Sequence, residues 1–139
     1  QTCALPIFSQ MRDYHAEHLR FEGVERIVEQ MDLALSLMDK LQNDYYREEF
    51  YAEEYYQTQM RIESNGSIEF DDTKNELDRY IEKYPSAKRQ VLNNPKYKKY
   101  MNGDESDFKT AMLMGIERHN KAKRIFFKLL DYNIESFWD

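Results

Sequence analysis

Apolar residues step by three and four through Val24, Ile27, Met31, Ala34, Met38, Leu41 and Tyr45, with Val28 and Leu35 widening the stripe. That period predicts an amphipathic helix. Phe8, Met11 and Leu19 are compatible with an earlier turn or a separate short helix. No breaker appears before Asn65, so the pattern predicts that the helix continues through DYYREEFYAEEYYQTQ. A helix of roughly 30 to 40 residues is long for a small domain and suggests a helical hairpin or an oligomer.

The pattern then switches from period 3.6 to period 2. MRIESNGSIEF carries Asn-Gly between alternating residues, the signature of a β-hairpin. A two-residue loop at Asn65-Gly66 would pair Ile62 with Glu69 and mix the two faces. A three-residue loop, Ser64-Asn65-Gly66, pairs Ile62 with Ile68 and Met60 with Phe70, so the apolar residues share a face. Gly66 then takes the left-handed position of a bulged turn. An isolated hairpin is marginal, so its apolar face is expected to dock on helices.

Helical signals resume at Thr73-Lys74-Asn75-Glu76, a capping box ahead of Leu77, Tyr80, Ile81 and Tyr84. Pro85 should end that helix and Ser86 cap a short one carrying Val91 and Leu92. Pro95 can open a further turn through Tyr97, Tyr100 and Met101, closed by Asn102-Gly103. Asp104, Glu105 and Asp107 suit the start of a last helix. Its face runs Phe108, Met112, Gly115, His119, Ala122, Phe126, Leu129 and Asn133. The expected fold is mainly α, with two long antiparallel helices, shorter helices between them and a small β-hairpin near 60–70.

Charge changes this picture in one respect. The formal net charge is −6, but residues 13–54 hold twelve acids and four bases, while 85–101 hold five bases and no acid. Residues 117–128 hold one acid and five bases. The chain is bipolar, so its net charge alone misleads about partners. No apolar run approaches the ~18 residues of a membrane span. A soluble, cytoplasmic protein with no membrane partner is the expectation.

The first seven residues, QTCALPI, have no amphipathic period, and Pro6 would break a helix. They resemble the in-frame translation of the end of a common sequencing adapter. They are set aside as a non-native scar, which leaves 8–139 as a single helical domain with a native start either lost or at Met11. Cys3 is the chain's one cysteine. Without it there is no disulfide framework, thiolate metal site or cysteine nucleophile.

Candidate chemistry is sparse. His15, His18 and Glu22 lie at i, i+3 and i+7, and two His with a Glu can hold zinc or iron. The pattern lacks an HExxH or ExxH partner, so the histidines are read as surface residues and no metal is assigned. His119 on the last helix reads as a core or interface histidine. Glu48-Glu49 and Glu53-Glu54 are read as a solvated face. No nucleophile triad, phosphate loop or dinucleotide fingerprint occurs, so the chain is expected to be no enzyme and to need no cofactor.

The aromatic and basic residues are less ordinary. There are 11 Tyr and 8 Phe. Tyr45-Tyr46, Phe50-Tyr51 and Tyr55-Tyr56 recur every five residues. Five residues turn a helix by about 140°, so the rings cannot share one face. They are core and dimer interface, or they line a pocket between chains. In AKRQVLNNPKYKKYM the cations Lys88, Arg89, Lys96, Lys98 and Lys99 interleave with Tyr97 and Tyr100, which suits phosphates and bases. Arg118, Lys121 and Arg124 form a second basic cluster on the last helix.

The closing stretch RHNKAKRIFFKLLDYNIESFWD joins a basic helix opening, an apolar helix and a terminal aromatic pair followed by Asp. It resembles the ends of small helical proteins encoded by tailed phages, with Phe137-Trp138 where two Trp are expected. The resemblance covers under a fifth of the chain and implies a phage source. Phage accessory proteins of this size include assembly factors and proteins that counter host defence, some of which hold host signalling nucleotides between subunits. The expected function is therefore a non-enzymatic helical homo-oligomer that binds a small nucleotide-like ligand. Tyr97, Lys98, Arg118 and Arg124 would contact phosphate or base, and Tyr51 and Tyr55 would line the pocket. Duplex nucleic acid would be repelled by the acidic remainder. The alternative is a structural, assembly or protein-inhibitor role that docks a protein partner through the Tyr-rich helix.

Overall fold

A computed structural model describes residues 4–18, 22–52, 54–55, 59–71, 76–101 and 107–138. The chain is mainly α, with one two-stranded antiparallel sheet among the described residues. The elements are α1 (Ala4–His18), α2 (Val24–Gln42), α3 (Tyr45–Glu48), a 3₁₀ turn (Glu49–Tyr51), β1 (Gln59–Ile62) and β2 (Ile68–Asp71). α4 (Leu77–Lys83), α5 (Pro85–Asn93), α6 (Pro95–Met101) and α7 (Asp107–Trp138) follow. Packing divides them into two compact units, Gln1–Tyr45 with His119–Asp139, and Tyr46–Arg118.

In the first unit α1 and α2 run antiparallel, clamped where Arg12 donates through Nε and Nη2 to the two carboxylate oxygens of Asp32 at 2.7 and 3.2 Å. The end of α7 completes the unit. Arg26 and Gln30 of α2 share a groove with Ile125, Leu129, Tyr132 and Asn133 of α7, whereas Asp44 beyond the other end of α2 lies beside His119. The two long helices are therefore antiparallel. Met31, Ala34 and Leu37 of α2 are buried, as are Ala122, Phe126 and Phe137 of α7. Phe8 is the first buried aromatic and meets Phe137 edge-on at 5.4 Å between ring centroids.

Pro6 does not break α1. It is the third residue of that helix, within the first turn, where the amides have no intrahelical carbonyl to bond. Ile7 beside it is exposed.

The first long helix is shorter than its pattern predicts. α2 ends at Gln42, and Asp44 adopts φ +48°. Asn43 returns its backbone N–H to the Asp39 carbonyl at 3.1 Å, and its side-chain amide bonds Asp39 Oδ1 at 3.0 Å. Asn and Asp tolerate the left-handed conformation and bond locally, so this pair closes the helix without glycine or proline. The aromatic run then continues as the short α3 and a 3₁₀ turn.

The second unit packs α3, the 3₁₀ turn, the hairpin, α4–α6 and the start of α7. Its core holds Phe50, Tyr55, Leu77, Tyr80, Ile81, Val91, Tyr97, Met101 and Met114, among others. α7 approaches α3 closely at Gly115, where an added Cβ would lie 2.8 Å from the Tyr46 carbonyl oxygen. Pro85 opens α5 at its first position rather than merely ending α4, and Tyr84, not Ser86, stands at the N-cap. Proline is suited there because it has no N–H to leave unpaired. Asn94 Oδ1 accepts the Lys96 backbone N–H at 3.0 Å and caps α6. The capping box at Thr73 and the stop at Asn102-Gly103 lie outside the described residues, as do Asp104 and Glu105.

The hairpin register is that of the three-residue loop: Ile62 faces Ile68, Met60 faces Phe70, and Gly66 has φ +81°. Its apolar face is not docked on the described helices of its own unit. Met60, Ile62, Ile68 and Phe70 are 61, 67, 56 and 64% exposed. Arg61 and Glu69 on the opposite face are exposed as well, so the hairpin projects from its unit with both faces wet.

Candidate functional site

The densest polar cluster centres on Glu49, which the 3₁₀ turn carries into the second unit while neighbouring Glu48 stays exposed. The Glu49 side chain is 5% exposed. Oε1 accepts from the Tyr84 hydroxyl at 2.6 Å and from Lys83 Nζ at 3.1 Å. Oε2 accepts from the Arg118 guanidinium. Arg118 also donates to the Tyr80 hydroxyl at 3.1 Å, and Lys83 to the Tyr55 hydroxyl at 2.7 Å.

Aromatic rings wall this cluster. Arg118 lies over Tyr84 at 3.4 Å from the ring centroid and over Tyr46 at 5.3 Å. Tyr80 meets both Tyr55 and Tyr84 edge-on. Cations on ring faces and edge-on ring pairs are both favourable, more so away from water.

The same geometry fixes the protonation states. Burial pushes the Glu49 carboxyl up, but the hydrogen bonds from Tyr84, Arg118 and Lys83 outweigh it and hold the group below its ordinary value. Tyr84 is pushed up to about 12, by burial and then by donating to Glu49. Burial also raises Tyr80. Hydrogen bonds to Tyr55 and Glu49 raise Lys83. Glu49 thus stays ionised and Tyr84 stays protonated across neutral pH. The cluster is a polar knot that ties the 3₁₀ turn to α4 and α7.

Glu49 had been expected on a solvated face because Lys and Arg are sparse around it. Its partners Lys83 and Arg118 come from 34 and 69 residues away. No local pattern reveals such a pairing.

The six residues expected at a ligand site are placed as follows. Tyr55 and Arg118 belong to the knot. Tyr97 is buried, and its hydroxyl donates to Glu117 Oε2 at 2.7 Å. Lys98, its neighbour on α6, is exposed. Tyr51 is 51% exposed and packs against Phe50 and Phe108. Arg124 belongs to the other unit. Of the Tyr-rich run, Tyr45 and Tyr51 are exposed, while Phe50 and Tyr55 are interior.

Arg124 stands in different company. Asn120, Lys123, Arg124, Phe127, Lys128 and Asp131 line one groove of about 830 Å³. They fall at i, i+3, i+4, i+7, i+8 and i+11, one face of α7. The Phe127 ring is 55% exposed in the middle of three cations. Lys123, Phe127 and Lys128 were not singled out from the sequence. The signal that could have found them is the second ring of Phe126-Phe127, which falls on the helix face of Lys123, Arg124 and Lys128, turned away from the buried Ala122 and Phe126.

The two histidines of α1 have separate surroundings. His15 Nε2 lies 3.0 Å from the Phe137 carbonyl oxygen, so that nitrogen is the donor, and the ring is buried. The His18 ring stacks on Tyr14. α1 ends at His18, so Glu22 is not on its face. Among the described residues no group of three His, Cys, Asp or Glu could hold a metal ion. No helix is long and apolar enough to cross a membrane among them. Comparison with protein-family models, curated proteins and solved structures finds no match.

Proposed function

We propose that this chain is a non-enzymatic binding protein for a small, anionic, planar ligand of the nucleotide kind, held along the outer face of α7. The observation that carries this reading is the exposed Phe127 ring flanked by Lys123, Arg124 and Lys128. A ring offers a stacking platform to any base, and cations beside it attract phosphate. Asn120 supplies an amide that can both donate and accept, which suits the edge of a base. This helix also carries the phage resemblance, and sequestering a host signalling nucleotide is a role that needs binding without turnover.

The site thus keeps Arg124 from the expected set and replaces the remainder. Tyr55, Tyr97 and Arg118 already spend their polar atoms inside the second unit.

Calorimetry against a panel of cyclic and linear nucleotides tests this. Heat is expected with at least one member. Phe127→Ala, and separately Lys123→Glu, should each weaken that binding by about tenfold or more, the loss of one stacked ring or one phosphate contact. No heat with any member, or full binding by both variants, overturns the reading.

A further inference from the structure

We infer that the projecting hairpin is a self-association arm, and that its apolar face is covered by the same face of a second copy of this chain. The four side chains Met60, Ile62, Ile68 and Phe70 form two cross-strand rungs on one face, each residue more than half exposed. Together they expose on the order of 500 Å² of apolar surface, as large as the biggest patch on a typical monomer. A two-stranded hairpin with no cover is at best marginally stable in water. The described helices of its own unit do not supply that cover.

The size of the face argues for a second copy. Two such faces together bury about 1,000 Å², the lower bound of a specific interface. The shape argues the same way. A two-fold axis in the plane of the contact and perpendicular to the strands lays the tip of one hairpin over the base of the other. The Ile62–Ile68 rung of one copy then meets the bulkier Met60–Phe70 rung of the second, and each small rung receives a large one. Edge-to-edge pairing would satisfy the open strand edges but leave the apolar face wet. Face-to-face packing removes it from water. The polar rung Arg61–Glu69 stays outside in that arrangement.

An interface at this lower bound is a weak, transient one. Sedimentation velocity of the full chain at roughly 100 µM should therefore show a dimer that dissociates on dilution. Phe70→Glu places a charge in the apolar contact and should weaken the dimer at least a hundredfold, with far-UV helix content unchanged. Glu69→Ala alters the opposite face and should leave the dimer intact. A wild-type monomer at that concentration overturns the inference. So does a dimer that survives Phe70→Glu. Loss of the dimer in Glu69→Ala as well would overturn the assignment of the face, since hairpin integrity alone would then explain both variants.

Discussion

Glu49 shows how much one side chain can organise. It is a buried anion held by two cations and a phenol drawn from α4, its C-cap and α7. Removing one partner of a buried pair costs more than the pair contributes, because the survivor is left charged and desolvated. Glu49→Gln should therefore lower stability by about 3 kcal/mol at neutral pH, since Arg118 is buried beside it. The pH dependence has a definite sign. The folded carboxyl titrates below its ordinary value near 4.5, so its stabilisation is complete above that value. It is lost as pH falls through the lower, folded value. Thermal melts between pH ~6 and ~3 should show wild type losing its advantage over Glu49→Gln as the acid end is approached. A constant gap across that range would mean that the carboxylate's charge is not what the knot uses.

At the scale of elements, short-range physics was legible and long-range pairing was not. The hairpin register followed from putting Ile62, Ile68, Met60 and Phe70 on one face, and the structure has that register. Pro85 and Pro95 marked helix boundaries because proline acts on its own neighbours. The end of α2 was missed because Asn43-Asp44 is a weaker stop than Gly or Pro, and the apolar stripe runs on to Tyr45 without a phase change. The close approach of α7 to α3 could not be read either, although Gly115 stood in the predicted stripe. Its reason is spatial: a Cβ there would meet the Tyr46 carbonyl oxygen at 2.8 Å and Arg47 Cα at 3.3 Å. Helix propensity alone would make Gly115→Ala stabilising by about 1 kcal/mol. Contact with backbone, which cannot swing aside as a side chain can, should reverse the sign and destabilise by roughly 1–3 kcal/mol. Chemical denaturation of Gly115→Ala settles the sign directly.

For the whole molecule, the mainly α class was legible from periodicity, and the surfaces proposed for binding were only partly so. Charge clusters pointed to Arg124, but that Phe127 is exposed beside it, on the same face as Lys123 and Lys128, is a property of the folded chain. The two proposed surfaces differ in what binds them together, which gives a joint prediction. Ligand binding at Lys123, Arg124 and Lys128 replaces small ions and should weaken as salt rises. Association through Met60, Ile62, Ile68 and Phe70 brings together copies that each carry a net charge of −6, and it should strengthen as salt screens that repulsion. Calorimetry and sedimentation across one NaCl series should give slopes of opposite sign. Slopes of the same sign would mean that one of the surfaces is misassigned.

The Asn65-Gly66 corner also governs how the protein ages. In this dipeptide the glycine nitrogen can attack the preceding side-chain carbonyl and expel ammonia. Hydrolysis of the resulting ring then leaves mostly isoaspartate, whose main chain runs through the side-chain carbon. In the folded loop the Gly66 N–H is occupied with the Glu63 carbonyl at 2.9 Å, and Asn65 Oδ1 accepts from Ser67 N and Oγ at 2.8 and 2.6 Å. Both reacting groups are thus held in other bonds while the hairpin is closed. A copy whose hairpin opens loses that protection, and one rearrangement lengthens its loop by a backbone atom. That change should disturb the pairing of Ile62 with Ile68 while leaving the helices as they are.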